Sequence, residues 1–225
     1  MGQPYENILL GNFILTLGYL AGQRGIKLNQ TVLQLLQQTP DDQTVGDLFA
    51  NLRGRNFIFE FKRNESQVRS EFKKPNRFSL LTALKNSGAS RAAEVSYQCH
   101  FMCFPTQSTT TTLSFMPYAS IKDAKSQDRQ HSSELSSFCE KLLALDIGFG
   151  VSYKDFAGYL AILARFSDES GRSDGGAGAI MNISDSGEIT IVEVDTLRVL
   201  ARTLDNEPES PTPTKTITLS RGFER

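Results

Sequence analysis

Asp47, Glu60 and Lys62 are the residues of this 225-residue sequence whose types and spacing suit chemistry. They fall within Thr44–Asn64, TVGDLFANLRGRNFIFEFKRN, which reads as a β-hairpin: an apolar run from Val45 to Leu52, a tight Arg53-Gly54-Arg55 corner, then Asn56–Lys62. Side chains alternate along a strand, so Phe57, Phe59 and Phe61 share one face while Ile58, Glu60 and Lys62 share the other. If the loop is Arg53-Gly54, Leu52 pairs with Arg55 and Asp47 stands directly opposite Glu60, with Cβ atoms about 5 Å apart. Two carboxylates and a lysine so placed suit divalent-metal hydrolysis of phosphodiesters. Carboxylate oxygens of Asp47 and Glu60 bind Mg²⁺ or Mn²⁺ and leave room for waters and substrate phosphate. A lysine beside them positions the attacking water or stabilises the pentacovalent species.

The elements around the hairpin must hold it in place. Tyr5–Ala21 carries Ile8, Leu9, Phe13, Leu17 and Leu20 at helical spacing, with Glu6 in the first turn and Gly22 as the expected stop. Asn29–Gln38 reads as a short second helix, and Thr39–Asp42 as the loop that leads into the hairpin. After the hairpin, Glu65–Phe72 and Arg77–Asn86 read as helices broken at Pro75. This segment is basic, with Lys62, Arg63, Arg69, Lys73, Lys74, Arg77, Lys85 and Arg91 against Glu65, Glu71 and Glu94. Such a run is either a solvated helix face or a phosphate-contacting rim in which Arg63, Arg69, Lys73, Lys74 and Arg77 meet nucleic acid.

Val95–Pro105 is dense in apolar residues on both faces and reads as a buried central strand. On a strand Cys99 and Cys103 lie about 13 Å apart and His100 points the other way, so the three do not close a zinc site and the cysteines belong to the core. Leu113–Tyr118 reads as a further strand, Ile121–His131 as polar and exposed, and Ser132–Leu145 as a helix with Glu134 near its start. Lys154–Phe166 fits a helix or a buried strand. Residues 167–178 form a Ser/Asp/Gly-rich loop without the lysine or spacing of a P-loop. Ala179–Val194 is a second hairpin, bearing Glu188 and Glu193 but no lysine partner. Asp195–Leu204 reads as a short closing helix, Asn206–Thr216 as a Pro-rich extended linker, and Ile217–Arg225 as a tail.

Gly46-Asp47 in one strand and Phe59-Glu60-Phe61-Lys62 in the next, preceded by a helix and followed by a helix and an apolar strand, resemble the core of PD-(D/E)xK nucleases over about residues 5–104. The resemblance implies a central mixed sheet flanked by helices, an α/β restriction-endonuclease-like fold with an α-β-β-β-α-β core. It also implies Asp47 and Glu60 as metal ligands, Lys62 as catalytic and Glu6 as a fourth acid. Gly46 stands where the family carries proline, and no strand is evident between Ile26 and Asp41, where the family would place one.

Length and composition set the frame. The chain is long enough to bury a core without staples, and the sequence reads as one α/β domain over residues 1–204, with a linker and tail over 205–225. A formal net charge of −1 leaves nucleic-acid binding to local patches. Three cysteines make no disulfide framework, and no apolar run is long enough to span a bilayer, so the expected setting is a reducing cytoplasm away from membranes. The function that follows is a Mg- or Mn-dependent nuclease acting on DNA before RNA, with a protein partner at the C-terminal tail and self-association both left open. The alternative is a non-catalytic subunit of a larger protein or nucleoprotein assembly, built on a degenerate nuclease fold.

Overall fold

In a computed structural model, residues 4–26, 31–36, 46–71, 75–85, 90–106, 112–123, 133–144, 148–166, 178–183, 189–194 and 216–219 are described. The hairpin forms as its sequence dictates, from β2 (Leu48–Leu52) and β3 (Arg55–Phe61). It lies inside a six-stranded mixed sheet in sequential order, completed by β1 (Thr31–Leu35), β4 (His100–Thr106), β5 (Thr112–Pro117) and the two-residue β6 (Ser133–Glu134). All neighbours are antiparallel except β3 and β4, which run parallel. A parallel pair requires a crossover. It is supplied by α2 (Glu65–Ser70), α3 (Pro75–Lys85) and α4 (Ser90–Cys99).

The expected strand alternation decides the layers. Phe57, Phe59 and Phe61 turn to one face, where they are covered by α1 (Glu6–Gln23) and α5 (Leu135–Ala144) through Phe13, Leu17, Phe138 and Leu142. Phe13 sits 5.0 Å from Phe59 and 5.4 Å from Phe115, ring centre to ring centre. Ile58 turns to the opposite face, under α3, α4 and α6 (Tyr153–Arg165). That settles Lys154–Phe166 as a helix.

Several expectations are corrected. Asn29–Gln38 does not supply a helix: Thr31–Leu35 is a strand paired antiparallel with β2, and Leu36 N–H donates to the Asp47 carbonyl at 2.8 Å. Pairing along the open side of β2 overrides the helix preference of Leu and Gln. Val95–Cys99 belongs to α4 rather than to a strand, because Val95, Ser96 and Cys99 recur at helical spacing on its buried face; the strand begins only at His100. Ser133-Glu134 pairs with β5 instead of opening α5. Ile121 is buried in a 3₁₀ turn over Tyr118–Asp123. Helix α1 runs to Gln23, and the left-handed residue that closes it is Gly25 (φ +63°) rather than Gly22, with Ile26 N–H reaching back to the Ala21 carbonyl.

The second hairpin is present as β7 (Gly178–Ile183) and β8 (Ile189–Val194). Part of the supposed tail, β9 (Thr216–Leu219), pairs antiparallel with β8 to make a separate three-stranded sheet. His131, the 167–177 stretch and the expected helix over 195–204 lie outside the described residues. No helix among the described residues is long and apolar enough to cross a membrane.

Candidate active site

The corner that sets the register is Arg53 (φ +50°) and Gly54 (φ +82°), two consecutive left-handed residues as a tight hairpin turn of this hand requires. Leu52 pairs with Arg55. Buried amides lock that register: Asn51 Nδ2 donates to Asn56 Oδ1 at 2.9 Å, Gly54 N–H donates to Asn51 Oδ1 at 3.1 Å, and Asn56 Nδ2 donates to the Val151 carbonyl at 3.2 Å. Counting back, the regular pairing ends with Leu48 opposite Phe59, one step short of the expected pairing of Asp47 with Glu60, which the ladder does not make.

At Asp47 the ladder departs from regularity. Its N–H donates to the Phe59 carbonyl at 2.9 Å although Leu48 is the residue paired with Phe59, so two residues of one strand oppose one of the other, as in a bulge. Gly46 precedes it at φ +150°, and a Cβ there would lie 2.9 Å from Ile58 Cγ2 and 3.1 Å from the Phe59 carbonyl oxygen. Glycine at 46 is therefore a requirement of the close approach. The Asp47 carboxylate accepts a hydrogen bond from Phe61 N–H through Oδ2.

Glu60 and Lys62 lie on the same face of β3, as alternation dictates, but that face is covered. Glu60 is 5 % exposed and Asp47 8 %. Lys62 Nζ donates to Glu60 Oε1 at 2.7 Å and lies 3.4 Å from Glu71 Oε1. Arg77, from the first turn of α3, places Nη2 3.8 Å from Glu60 Oε2 and Nε 3.8 Å from Glu71 Oε2. Each cation thus faces both carboxylates in a closed ring of alternating charge. Burial alone would push the Glu60 carboxyl up, but Lys62 and Arg77 beside it outweigh that and hold it at about 2. Burial would likewise lower Lys62; the charges of Glu60 and Glu71, with Asp47 adding to them, raise it instead. Both groups are ionised at neutral pH.

Behind Glu60, His100 stacks on Tyr118 with ring centres 4.1 Å apart. Its Nδ1 shares a 2.9 Å hydrogen bond with the Tyr159 hydroxyl, which is also 2.9 Å from Ser96 Oγ. Burial, reinforced by Arg77 and opposed by Glu60, pushes His100 down to about 3, so the ring is neutral.

Of the expected site residues, the fold gathers Asp47, Glu60 and Lys62 at one end of the hairpin. Glu6 is half-buried in the first turn of α1. Its neighbour Tyr5 lies under the Arg63 guanidinium at 4.6 Å, which brings the start of α1 to the same end of β3. Among the described residues no hydrogen bond or ion pair joins Glu6 to the Glu60 ring. From the basic stretch, Arg77 turns into the ring, while Arg91 pairs on the surface with Glu94 at 3.2 Å and Asp155 at 2.8 Å. Lys73, Lys74 and the Arg69 side chain lie outside the described residues. Glu71 was not a candidate from sequence. It caps the C-terminal end of α2, and no strand or helix spacing relates it to Lys62; only the folded crossover does.

No group of three or more His, Cys, Asp or Glu among the described residues is arranged to hold a metal ion. Mg²⁺ is commonly held by only one or two carboxylates with waters and phosphate. Glu60 Oε2, buried and without a hydrogen bond among the described residues, is a donor of that kind. The three cysteines are all buried free thiols. No family model, curated protein or solved structure matches the chain.

Proposed function

We propose that the chain is a metal-dependent nuclease of the PD-(D/E)xK kind, cleaving phosphodiester bonds in nucleic acid, DNA before RNA. The observation that carries this reading is the juxtaposition at the end of the hairpin: Glu60 and Lys62 joined at 2.7 Å, with the Asp47 carboxylate held beside them by the Phe61 N–H and close enough to raise Lys62. The order of elements supports it. A helix, three antiparallel strands, a helical crossover and a fourth strand parallel to the third follow the α-β-β-β-α-β order of that family, including the strand at Thr31–Leu35.

Asp47 and Glu60 would hold Mg²⁺ or Mn²⁺. When bound, such an ion supplies charge neutralisation at the scissile phosphate and a water of lowered pKa. The remaining work belongs to the chain. Glu60, ionised far below neutral pH, offers its oxygens without competition from protons. Lys62 stays an ammonium, so it acts as a donor that orients the attacking water or binds the developing negative charge on phosphate, not as the base. Asp47 is oriented by the hydrogen bond its Oδ2 accepts from the Phe61 N–H. Arg63, stacked over Tyr5 beside this end of β3, is placed to meet the phosphate backbone.

The test is incubation with single- and double-stranded DNA and RNA in Mg²⁺ or Mn²⁺, with a chelator control, beside Glu60→Ala and Lys62→Ala. Metal-dependent cleavage lost in both variants is expected; cleavage that survives both overturns the assignment.

One observation favours a second reading. The Glu60–Lys62–Glu71–Arg77 ring is already charge-balanced and closed, as in a buried structural network. In that case the chain is a non-catalytic subunit of a protein or nucleoprotein assembly on a degenerate nuclease fold. Absence of cleavage on every substrate in either metal supports it.

A further inference from the structure

We infer that Arg77 is the resident cation of this site and that a divalent ion competes with it for the Glu60 carboxylate, so that metal entry displaces the Arg77 side chain. The inference rests on the nuclease reading and adds a control step to it. Glu60 has two carboxylate oxygens in different situations. Oε1 is occupied by Lys62 Nζ at hydrogen-bond length, 2.7 Å. Oε2 has no hydrogen bond among the described residues and faces Arg77 Nη2 at 3.8 Å. It is thus the oxygen a metal would take, and the Arg77 contact to it, at 3.8 Å, is an ion pair beyond hydrogen-bond length.

Charge balance points the same way. Asp47, Glu60 and Glu71 carry three negative charges in and around the ring; Lys62 with a divalent ion balances them, and Arg77 in addition leaves one positive charge in excess. In a covered site this excess is weakly screened, so ion and guanidinium oppose each other. Lys62 does not conflict in the same way, because its hydrogen bond is to the other oxygen and Glu71 supports it from behind at 3.4 Å. Arg77 has somewhere to lean, since its guanidinium carbon already lies 5.8 Å from the centre of the Tyr118 ring. Arg77 belongs to α3 and not to β3, the strand that carries Glu60.

The experiment measures Mn²⁺ binding to the full chain by titration calorimetry, without nucleic acid, for wild type, Arg77→Gln, Arg77→Lys and Glu60→Gln/Arg77→Gln. Arg77→Gln is expected to bind Mn²⁺ about tenfold more tightly or better, equivalent to about 1.4 kcal/mol, with Arg77→Lys between it and wild type and no binding by the double variant. Removing Arg77 strips charge from a buried ring, so melting temperature is followed in parallel. Arg77→Gln should melt below wild type without metal and recover more than wild type gains when Mn²⁺ is added. Equal Mn²⁺ affinity and equal melting gain in wild type and Arg77→Gln overturn the competition while leaving the two-carboxylate site standing. No binding and no melting gain in any form overturn both.

Discussion

Gly46 and Glu60 show how single residues fix the candidate site. Gly46 allows the backbone to approach Ile58 and Phe59 closely enough for Asp47 to reach the Phe61 N–H, at a φ of +150° that side-chain-bearing residues rarely adopt. Gly46→Ala should therefore cost about 1–3 kcal/mol in urea unfolding. It should also lower metal affinity, since Asp47 is carried with it; an unchanged unfolding midpoint would show that the close approach is unimportant. Titration gives a second prediction. His100 is held at about 3 against an ordinary 6.5, so the unfolded chain binds a proton there before the folded one does, and stability falls as pH drops below 6.5. Glu60, lowered from 4.5 to about 2, contributes stability present above 4.5 that is lost as pH falls toward 2. Acidification is thus destabilising in two stages, His100 first. Melting temperatures between pH 6.5 and 4.5 should fall in the wild type and fall less in His100→Gln; parallel profiles would remove His100 as the cause.

Elements were legible where the pattern separates apolar from polar residues. The hairpin and α1 announce themselves by alternation or helical spacing, and the Arg53-Gly54 corner fixes a register that the fold reproduces from Leu52 to Leu48. Where an apolar run is short, as at Lys154–Phe166, or where pairing supplies the stabilisation, the pattern does not choose between helix and strand. In Val95–His100 the polar Ser96, Gln98 and His100 alternate with apolar residues, so the end of the helix reads as part of the strand that begins only at His100. Thr31–Leu35 opens with the strand-favouring Thr31 and Val32 inside a Leu- and Gln-rich run that reads as a helix, and pairing with β2 decides for the strand. The site was half legible for the same reason: Asp47, Glu60 and Lys62 follow from one hairpin, whereas Glu71 and Arg77 reach them only through the crossover. Element packing is testable at Phe13, whose ring meets Phe59, Phe61 and Phe115 and joins α1 to two strands of the sheet, β3 and β5. Phe13→Ala should cost about 3–5 kcal/mol; a loss under about 1 kcal/mol would mean that α1 is not a principal cover of that face.

For the whole molecule, the sheet divides the work. One face is a dry aromatic layer under α1 and α5, and the other combines an apolar cluster with the buried charges of Glu60, Lys62, Glu71 and Arg77. Rigid strands on one side and a helical crossover on the other place an acid–base cluster at the end of a hairpin, an arrangement suited to holding reacting groups still. The net charge of −1 leaves long-range attraction of nucleic acid weak, so on the proposed nuclease reading binding would come from local contacts such as Arg63 and would be sensitive to salt. The most direct test of the central claim is the rate of Mg²⁺-dependent DNA cleavage by Glu60→Ala relative to wild type, with both shown folded by their melting curves. A loss of about 100-fold or more is predicted, as for removal of a main source of transition-state charge stabilisation. Cleavage by Glu60→Ala at the wild-type rate would contradict it.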